Sequence, residues 1–201
     1  MLSVILVRTP MKKEDIIILP HSDLRKRSRK VRVISDDIRQ LVTDMTDAAL
    51  DWEDSRPHEI SAALAAVQID KLERVVIVRT DFDEKDNRDF TVLINPEIIK
   101  YEGDLATDFE GCLSVKDIYG KVPRYTKIRV KALNLDGKEV RFKADGFLAR
   151  VIQHEVDHTK GIVFVDHIKD DHEAFYELDD KGELQPVSYD ERIAGSDIFD
   201  D

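Results

Sequence analysis

The segment His154-Glu155-Val156-Asp157-His158 matches the H-E-x-x-H pattern and carries the most specific chemistry in the chain. Residues four positions apart lie on one face of a helix, so both imidazoles can bind one metal ion. Glu155 is angularly offset from them and can accept a proton from the metal's water ligand. Two surface histidines could also fit this pattern by chance. A helical apolar face before them argues against that interpretation: Phe147, Leu148, Val151 and Ile152.

Two histidines leave a third metal ligand to be identified, and the residues leave several alternatives open. Cys112, the single cysteine, lies in Glu110-Gly111-Cys112-Leu113-Ser114, and a thiolate is a strong ligand for zinc or ferrous iron. Glu173 and Glu177 are rival ligands, as in metalloproteases whose third ligand is a downstream glutamate. Cys112 could instead be a nucleophile with a histidine base, or a small buried hydrophobe.

The elements that must position these residues follow from periodicity and from turn signals. Ser35 is a predicted N-cap, followed by an amphipathic helix over 36–52. A second helix is predicted from about Asp145 to Thr159, with Gly161 as its stop. Strands are predicted at 74–79, 91–94, 127–132 and 138–143, the last two flanking an Asp-Gly hairpin turn. The predicted fold is α+β, with antiparallel sheets packed around a central helix that carries the H-E-x-x-H pattern.

Composition limits the classes of function. The chain has 201 residues, 42 of them acidic and 31 basic, which gives a formal net charge of −11. This acidity argues against nonspecific nucleic-acid binding as the main task. A single cysteine excludes an intramolecular disulfide and fits a reducing compartment, so we expect a cytoplasmic protein. The apolar runs are far shorter than the ~18–20 residues that span a membrane, and we expect no signal peptide.

Charge is concentrated at the two ends of the chain. Residues 1–33 carry nine basic side chains against three acidic ones, mostly within the run 25–32. Residues 179–201 carry eight acidic side chains against two basic ones and contain few apolar residues. We therefore predict a single domain over 1–178 and an acidic, flexible tail over 179–201 that adds little to the core.

Three blocks resemble motifs of the peptide deformylase family. The segments Glu110–Ser114 and Gln153–His158 are highly specific together, and Leu64-Ala65-Ala66-Val67-Gln68 resembles the second half of the remaining motif. Fainter similarity extends the resemblance over about 20–168, at Leu24–Lys26, Leu93–Glu97, Val122–Arg124 and Ala144–Gly146. The resemblance implies a metal-dependent hydrolase that removes the formyl group from the N-terminal formylmethionine of nascent bacterial proteins and releases formate.

The resemblance also implies roles for individual residues. Cys112, His154 and His158 would ligate one divalent metal ion. The family suggests ferrous iron for that ion, with zinc, nickel or cobalt substituting. Glu155 would be the general acid and base, while the Gln68 side-chain amide and the Leu113 backbone N–H would stabilise the oxyanion.

Substrate binding is expected around these groups. The family motif has glycines where this chain has Ser61 and Ala63, in a segment that pairs with the substrate peptide as an added strand. The two side chains are therefore expected to modify the cleft. Phe147 and Val151 are candidates for the methionine pocket, with plain core packing as the alternative. The residues expected to contact substrate are Ser61, Ala62, Ala63, Glu110, Gly111, Phe147 and Val151, with Lys116 and Tyr119 at the rim.

The expected partners are N-formylmethionyl peptides of nascent chains, with no membrane and no specific nucleic acid. The basic run 25–32 could contact the ribosome transiently, although we favour a solvated charged segment. Two other functions stay open: a metallopeptidase that uses Glu177 instead of Cys112, and a non-catalytic relative that binds N-termini. The presence of both Glu155 and Gln68 favours the enzyme, because a binding protein does not need an acid/base group.

Overall fold

The computed structural model describes residues 8–56, 59–82 and 87–200. Two α-helices, α1 (Asp36–Asp54) and α2 (Gly146–His158), pack on one antiparallel sheet of seven strands. The strands are β1 (Ala63–Ala65), β2 (Val75–Val78), β3 (Thr91–Cys112), β4 (Val115–Leu133), β5 (Glu139–Asp145), β6 (Phe175–Leu178) and β7 (Leu184–Pro186). The predicted α+β class and its antiparallel pairing are confirmed. No helix in the described ranges is long and apolar enough to cross a membrane.

The sheet has the strand order β1-β2-β3-β4-β6-β7. Strand β5 lies outside this order and pairs with the C-terminal end of β4. The hairpin of β3 and β4 is the longest part of the sheet, and the predicted strands 91–94 and 127–132 are only its outer ends. Charged residues between the two predicted strands interrupt the alternation of apolar and polar positions. The sequence pattern therefore underestimates the lengths of β3 and β4. The predicted turn at Asp136-Gly137 joins β4 to β5, with Gly137 at a φ of 76°.

The two helices cover opposite faces of β2, whose four residues are all buried. Val75 and Ile77 pack with α1, whereas Val76 and Val78 pack with α2. Successive side chains of a strand point to opposite faces, so a continuous Val-Val-Ile-Val run fits a strand covered on both sides. This arrangement fixes α2 against the sheet.

The predicted limits of both helices are confirmed to within a few residues. Helix α1 begins after Ser35 and buries the predicted apolar positions, which are Ile38, Leu41, Val42, Met45, Ala48 and Ala49. Helix α2 is followed by Gly161 at a φ of 80°, and the Gly161 N–H donates to the His158 carbonyl at 3.1 Å. A Cβ at Gly161 would lie 2.3 Å from the Arg25 carbonyl oxygen, so only glycine fits there.

The residues after Asp179 differ from the sequence-based expectation, because they contribute to the core. Ile193 is fully buried in a cluster with Phe164 and Phe175, and Phe199 packs edge-on against Phe175. The prediction that this segment adds little to the core is therefore wrong. Its high mean charge conceals a few apolar residues that contact an apolar surface formed by other elements. The domain boundary at residue 178 and the flexibility of the segment stay predictions.

The basic run 25–32 is largely paired with acidic side chains from elsewhere in the chain. Arg25 makes two hydrogen bonds to the Asp166 carboxylate, at 2.9 and 2.7 Å. Lys26, Arg29 and Lys30 pair with Asp23, Glu73 and Glu97, respectively. Much of the positive charge in the run is thereby balanced locally, in line with the interpretation as a charged surface segment.

Candidate metal centre and substrate cavity

The end of β3 and one face of α2 bring together the three predicted metal ligands. Cys112 is the last residue of β3, and His154 and His158 lie one helical turn apart on α2. The Cys112 sulfur and one nitrogen of each imidazole all lie within 4.8 Å of one another. The Cys112 Sγ is 3.2 Å from the His158 Nε2. Both histidines are buried, so the three donor atoms converge in a site largely shielded from water.

A buried carboxylate orients one of these imidazoles. The His154 Nδ1–H donates to the Glu110 Oε2 at 3.0 Å, which leaves the Nε2 of His154 for the metal side. Arg124 donates to both oxygens of Glu110, at 2.9 and 3.1 Å, and Arg150 adds a bond of 2.8 Å. Burial by itself raises the pKa of Glu110, but the hydrogen bonds from His154 and Arg124 outweigh it and lower the pKa to about 2. Glu110 is therefore a fixed anion behind His154.

The same arginine extends this network to the residue that precedes His158. Arg124 Nη1 donates to the Asp157 Oδ2 at 2.5 Å, and the His167 Nε2–H donates to the same oxygen at 2.8 Å. Burial opposes the charge of Asp157, but the bond from His167 and the charge of Arg124 hold its pKa below the ordinary value. The sequence analysis missed this network. A signal for it was present, because Arg150 interrupts the apolar face of α2.

Glu155 differs from the other buried carboxylates because its charge has no close partner. It is 5% exposed, and its Oε2 has no hydrogen-bond partner among the described residues. Burial raises the pKa of Glu155 to about 7. A carboxylate with that pKa exchanges a proton readily near neutral pH, as a general acid and base must.

The donor set fits a divalent metal ion. One thiolate and two imidazoles are typical ligands of zinc and ferrous iron, and three protein ligands leave a position for water or substrate. The pKa values of the two imidazoles are shifted in opposite directions. Burial lowers the pKa of both, but the hydrogen bonds of His154 to Cys112 and Glu110 raise its pKa above the ordinary value. The pKa of His158 stays lowered by burial and by the charge of His154.

Gln68 lies beside the sulfur of Cys112 and is almost fully buried. Its Oε1 accepts a hydrogen bond from the Ala65 N–H at 2.8 Å. This bond fixes the amide so that its Nε2 points toward the Cys112 Sγ (3.5 Å) and the Ser114 Oγ (3.2 Å). The side chain therefore presents N–H groups toward the candidate metal centre.

A cavity of about 790 Å³ opens onto these residues. Glu155 and Gln68 line it together with Leu113, whose backbone was predicted to stabilise an oxyanion. Six of the seven predicted substrate contacts also line it, namely Ala62, Ala63, Glu110, Gly111, Phe147 and Val151. Phe147 is 50% exposed and Val151 is 8% exposed, so Phe147 offers the more accessible apolar surface.

The seventh predicted substrate contact, Ser61, does not line the cavity. Its side chain is fully buried, and its N–H donates to the Glu53 carboxylate at 2.8 Å. The prediction assumed a strand in which residues 61 and 63 share a face, but β1 begins only at Ala63. The expectation that Ser61 narrows the cleft is therefore wrong.

The rim residues Lys116 and Tyr119 also line the cavity, and Tyr119 connects its two walls. The Tyr119 hydroxyl, on β4, donates to the carboxylate of Glu59, which precedes β1. Gly111 pairs with Tyr119 across the hairpin, and a Cβ at Gly111 would lie 2.5 Å from the tyrosine ring. Only glycine at position 111 leaves room for that ring beside Cys112.

The two carboxylates considered as rival ligands lie elsewhere. Glu177 is on β6, where its carboxylate is 3.6 Å from Arg192, and Glu173 is exposed in the turn before β6. Neither contributes to a cluster of metal-ligating atoms in the described ranges. The geometry therefore gives no support to the metallopeptidase alternative.

Comparison with known proteins identifies the family. The curated peptide deformylase of Thermomicrobium roseum is 44% identical over 150 residues, which cover 73% of this chain and 81% of the relative. That of Brachyspira hyodysenteriae is 40% identical over 157 residues, covering 77% of this chain and 80% of the relative.

Two crystal structures of peptide deformylases also superpose on this chain. The Legionella pneumophila structure does so with a TM-score of 0.67 and 35% identity, covering 79% of this chain and 86% of its own. The class I type b structure from Acinetobacter baumannii gives a TM-score of 0.70 and 31% identity, covering 80% and 100%. Because the sequence model of polypeptide deformylase also matches residues 13–174, this chain belongs to the polypeptide deformylase family.

Proposed function

We propose that Cys112, His154 and His158 hold the metal ion with which this chain removes the N-formyl group from nascent polypeptides. Membership of the deformylase family establishes the reaction, in which an amide bond is hydrolysed to formate and a free N-terminal methionine. The observation that carries the ligand assignment is the convergence of one thiol and two imidazoles within 4.8 Å beside a cavity. Helix α2, with its H-E-x-x-H pattern, is then the central element around which the site is organised.

We propose ferrous iron as the native metal, with zinc, nickel or cobalt able to replace it. A ligand set of thiolate and imidazole suits each of these ions, so the donors support the class of metal and the family resemblance supports iron. When bound, such an ion polarises a carbonyl oxygen and lowers the pKa of a water ligand toward neutrality.

Glu155 is the proposed general acid and base. Its carboxylate takes a proton from the attacking water and returns it to the amine nitrogen as the C–N bond of the formamide breaks. A pKa of about 7 and an unpaired Oε2 support both directions of transfer, because the proton is bound and released at similar cost. Arg124 and Arg150, which hold Glu110, make no hydrogen bond to Glu155 in the described structure.

Gln68 and Leu113 are the proposed donors for the oxyanion that forms on the formyl carbonyl. The Gln68 amide is preorganised by the Ala65 N–H, and Leu113 directly follows Cys112 at the cavity wall. Donors that are already oriented stabilise the developing charge without reorganisation during the reaction. Glu110, expected to contact substrate, lines the cavity and also holds the imidazole of His154.

The substrate peptide is proposed to bind along β1. Within the described sheet β1 is an edge strand, and Ala62 and Ala63 line the cavity beside it. A free strand edge offers backbone N–H and C=O groups to an extended peptide, which supports binding by strand addition. Gly111 leaves room for the Tyr119 ring in the facing wall, and Phe147 and Val151 are proposed to contact the methionine side chain. We place this reaction in the cytoplasm, on nascent chains.

The experiment that tests the proposal measures formate release and metal content together. Protein prepared anaerobically with ferrous iron or nickel should release formate from formyl-Met peptides. Cys112→Ser should lose tight metal binding and activity, because a hydroxyl does not replace a thiolate ligand in a three-ligand site. Glu177→Gln is the matched control and should keep both. Full metal occupancy in Cys112→Ser would contradict the ligand assignment, and inactivity of the metal-loaded wild type would contradict the function.

A further inference from the structure

The hairpin of β6 and β7 lies outside the part of the chain that matches the deformylase family, yet it reaches the substrate cavity. The family match ends at residue 174, and β6 begins at Phe175. Leu184, the first residue of β7, lines the cavity that also contains Cys112 and Glu155. We propose that Leu184 selects an apolar side chain in the substrate peptide downstream of formyl-methionine. This inference rests on the proposed function and adds a specificity determinant to it.

The hairpin is firmly attached to the wall of the cavity. Strand β6 pairs with β4 through Tyr119 opposite Tyr176, and the neighbouring Phe175 is fully buried. The Tyr176 ring packs edge-on against Phe109, another lining residue, with 4.8 Å between the ring centres. The Lys121 ammonium lies 4.9 Å from the Tyr176 ring centre and 5.2 Å from that of Phe109. These contacts connect β6 directly to residues that face the substrate.

The position of Leu184 within the hairpin is fixed as well. Leu184 pairs with Leu178 across the hairpin, and the Val187 N–H donates to the Phe175 carbonyl at 3.1 Å. The Asp179 carboxylate closes the turn by accepting from the N–H groups of Lys181 and Glu183, both at 2.9 Å. A backbone that is already held in place loses little conformational freedom when its side chain binds a ligand. Leu184 is therefore suited to act as a recognition surface.

The strand order indicates which part of the substrate Leu184 can contact. Strand β7 is the third strand from β3, which ends at Cys112. The two intervening strands, β4 and β6, place Leu184 away from the thiolate, while one cavity reaches both residues. Leu184 therefore faces the substrate residues that follow the methionine rather than the formyl group.

The chemistry of this wall favours an apolar partner. Leu184 is half-buried and shares the cavity with Phe109 and Tyr119, so an apolar substrate side chain would cover surface that now contacts water. A charged side chain would lose hydration beside these apolar groups. The segment that carries Leu184, residues 179–201, has eight acidic and two basic side chains, and its net negative charge disfavours an acidic partner. The expected preference is Leu over Lys, and Lys over Glu.

Tetrapeptides that begin with formyl-Met test this inference. Leu, Lys or Glu is placed in turn at the second, third and fourth positions, with Ala at the others, and formate release gives kcat and KM for each peptide. The wild type should prefer Leu at one or more of these positions. Leu184→Ala should lower kcat/KM for that peptide about 10-fold, mainly through KM, as expected for a lost apolar contact. Leu184→Gln retains much of the side-chain volume and should reduce the preference for the Leu peptide similarly. Leu184→Met keeps an apolar side chain and should retain the wild-type preference.

Leu178→Ala is the matched control, because Leu178 lies opposite Leu184 in the hairpin but does not line the cavity. It should lower the melting temperature and keep the wild-type ratio of Leu to Glu peptides. An unchanged ratio in Leu184→Ala and Leu184→Gln, or an equal loss in Leu178→Ala, would overturn the inference. A wild type that deformylates these peptides without any Leu preference would overturn it as well. Failure of the metal-loaded wild type on every peptide would instead overturn the proposed function.

Discussion

Strand β3 carries two glutamates that pair with arginine in opposite surroundings. Glu102, in the middle of the strand, accepts from Arg129 at 2.7 and 3.0 Å, and its side chain is 24% exposed. Glu110, beside the metal centre, is held by two arginines and one histidine, and its side chain is 4% exposed. The pKa of each is lowered to about 2. At Glu102 the hydrogen bond from Arg129 is the main cause, whereas at Glu110 the bonds must overcome a strong opposing effect of burial.

The difference between Glu102 and Glu110 shows where buried charged side chains matter in this chain. An exposed ion pair adds little to stability because water screens it and solvates either partner alone. A buried pair is held at a large desolvation cost, and removing one member leaves the other uncompensated. The chain places such charges around His154 and His158, where orientation of the ligands matters. The outer wall of the cavity, with Lys116, Tyr119 and Leu184, is built from half-buried or exposed side chains instead.

The largest effect is expected at Glu155, a buried carboxylate whose Oε2 has no hydrogen-bond partner among the described residues. Glu155→Gln keeps the shape of the side chain but cannot exchange a proton. It should retain the metal and lower kcat by about two to four orders of magnitude, the usual contribution of a positioned acid/base group. Formate release by metal-loaded protein measures this, with the exposed Glu173→Gln as control. Near wild-type turnover would show that another group transfers the proton.

The second prediction compares the two arginine-paired glutamates directly. Glu110→Gln leaves Arg150 with uncompensated buried charge, whereas Arg124 keeps its bond to Asp157, so the free energy of unfolding should fall by about 3–5 kcal/mol. Metal affinity should fall about 10–100-fold, because His154 loses the anion that orients it. Glu102→Gln is the control and should leave the melting temperature and metal content nearly unchanged. Denaturant unfolding and metal analysis of both variants provide the measurement, and equal losses would remove the distinction between the two regions.

Sequence reasoning recovered the residues that do chemistry better than the residues that hold them. The H-E-x-x-H spacing identified His154 and His158, because one helical turn places them together. Cys112 was selected among the open alternatives by the resemblance to the family. The network of Arg124, Asp157 and His167 depends on how β4 and the chain after α2 fold back onto the site. No local periodicity encodes those long-range contacts, since the partners are 10 to 33 residues apart.

The same limit explains the errors at Ser61 and in the segment after Asp179. Ser61 was assigned to the cleft from strand alternation, which fails because the strand starts two residues later. The segment after Asp179 was judged by its mean charge, although single apolar residues decide whether a chain docks. Burial depends on the partner surface, and here Phe164 and Phe175 provide it.

The third prediction tests that docking. Ile193 is fully buried and packs in the cluster of Phe164 and Phe175. Ile193→Ala should lower the free energy of unfolding by about 2–5 kcal/mol through lost burial and the cavity left behind. Ile99→Ala, at a position that is 48% exposed, is the control and should cost much less. Similar small changes in both variants would restore the interpretation of a segment that adds little to the core.

The last prediction separates the two positions at which the family motif has glycine. Ala63 lines the cavity, whereas the Ser61 hydroxyl is buried without a hydrogen-bond partner among the described residues. Ala63→Gly should cost about 0.5–1 kcal/mol of stability because glycine loosens the strand. It should also change kcat/KM on formyl-Met peptides, since it removes a methyl group from the cleft. Ser61→Gly should change only the melting temperature. A change in peptide preference with Ser61→Gly would show that the segment before β1 contacts substrate, contrary to its place in this fold.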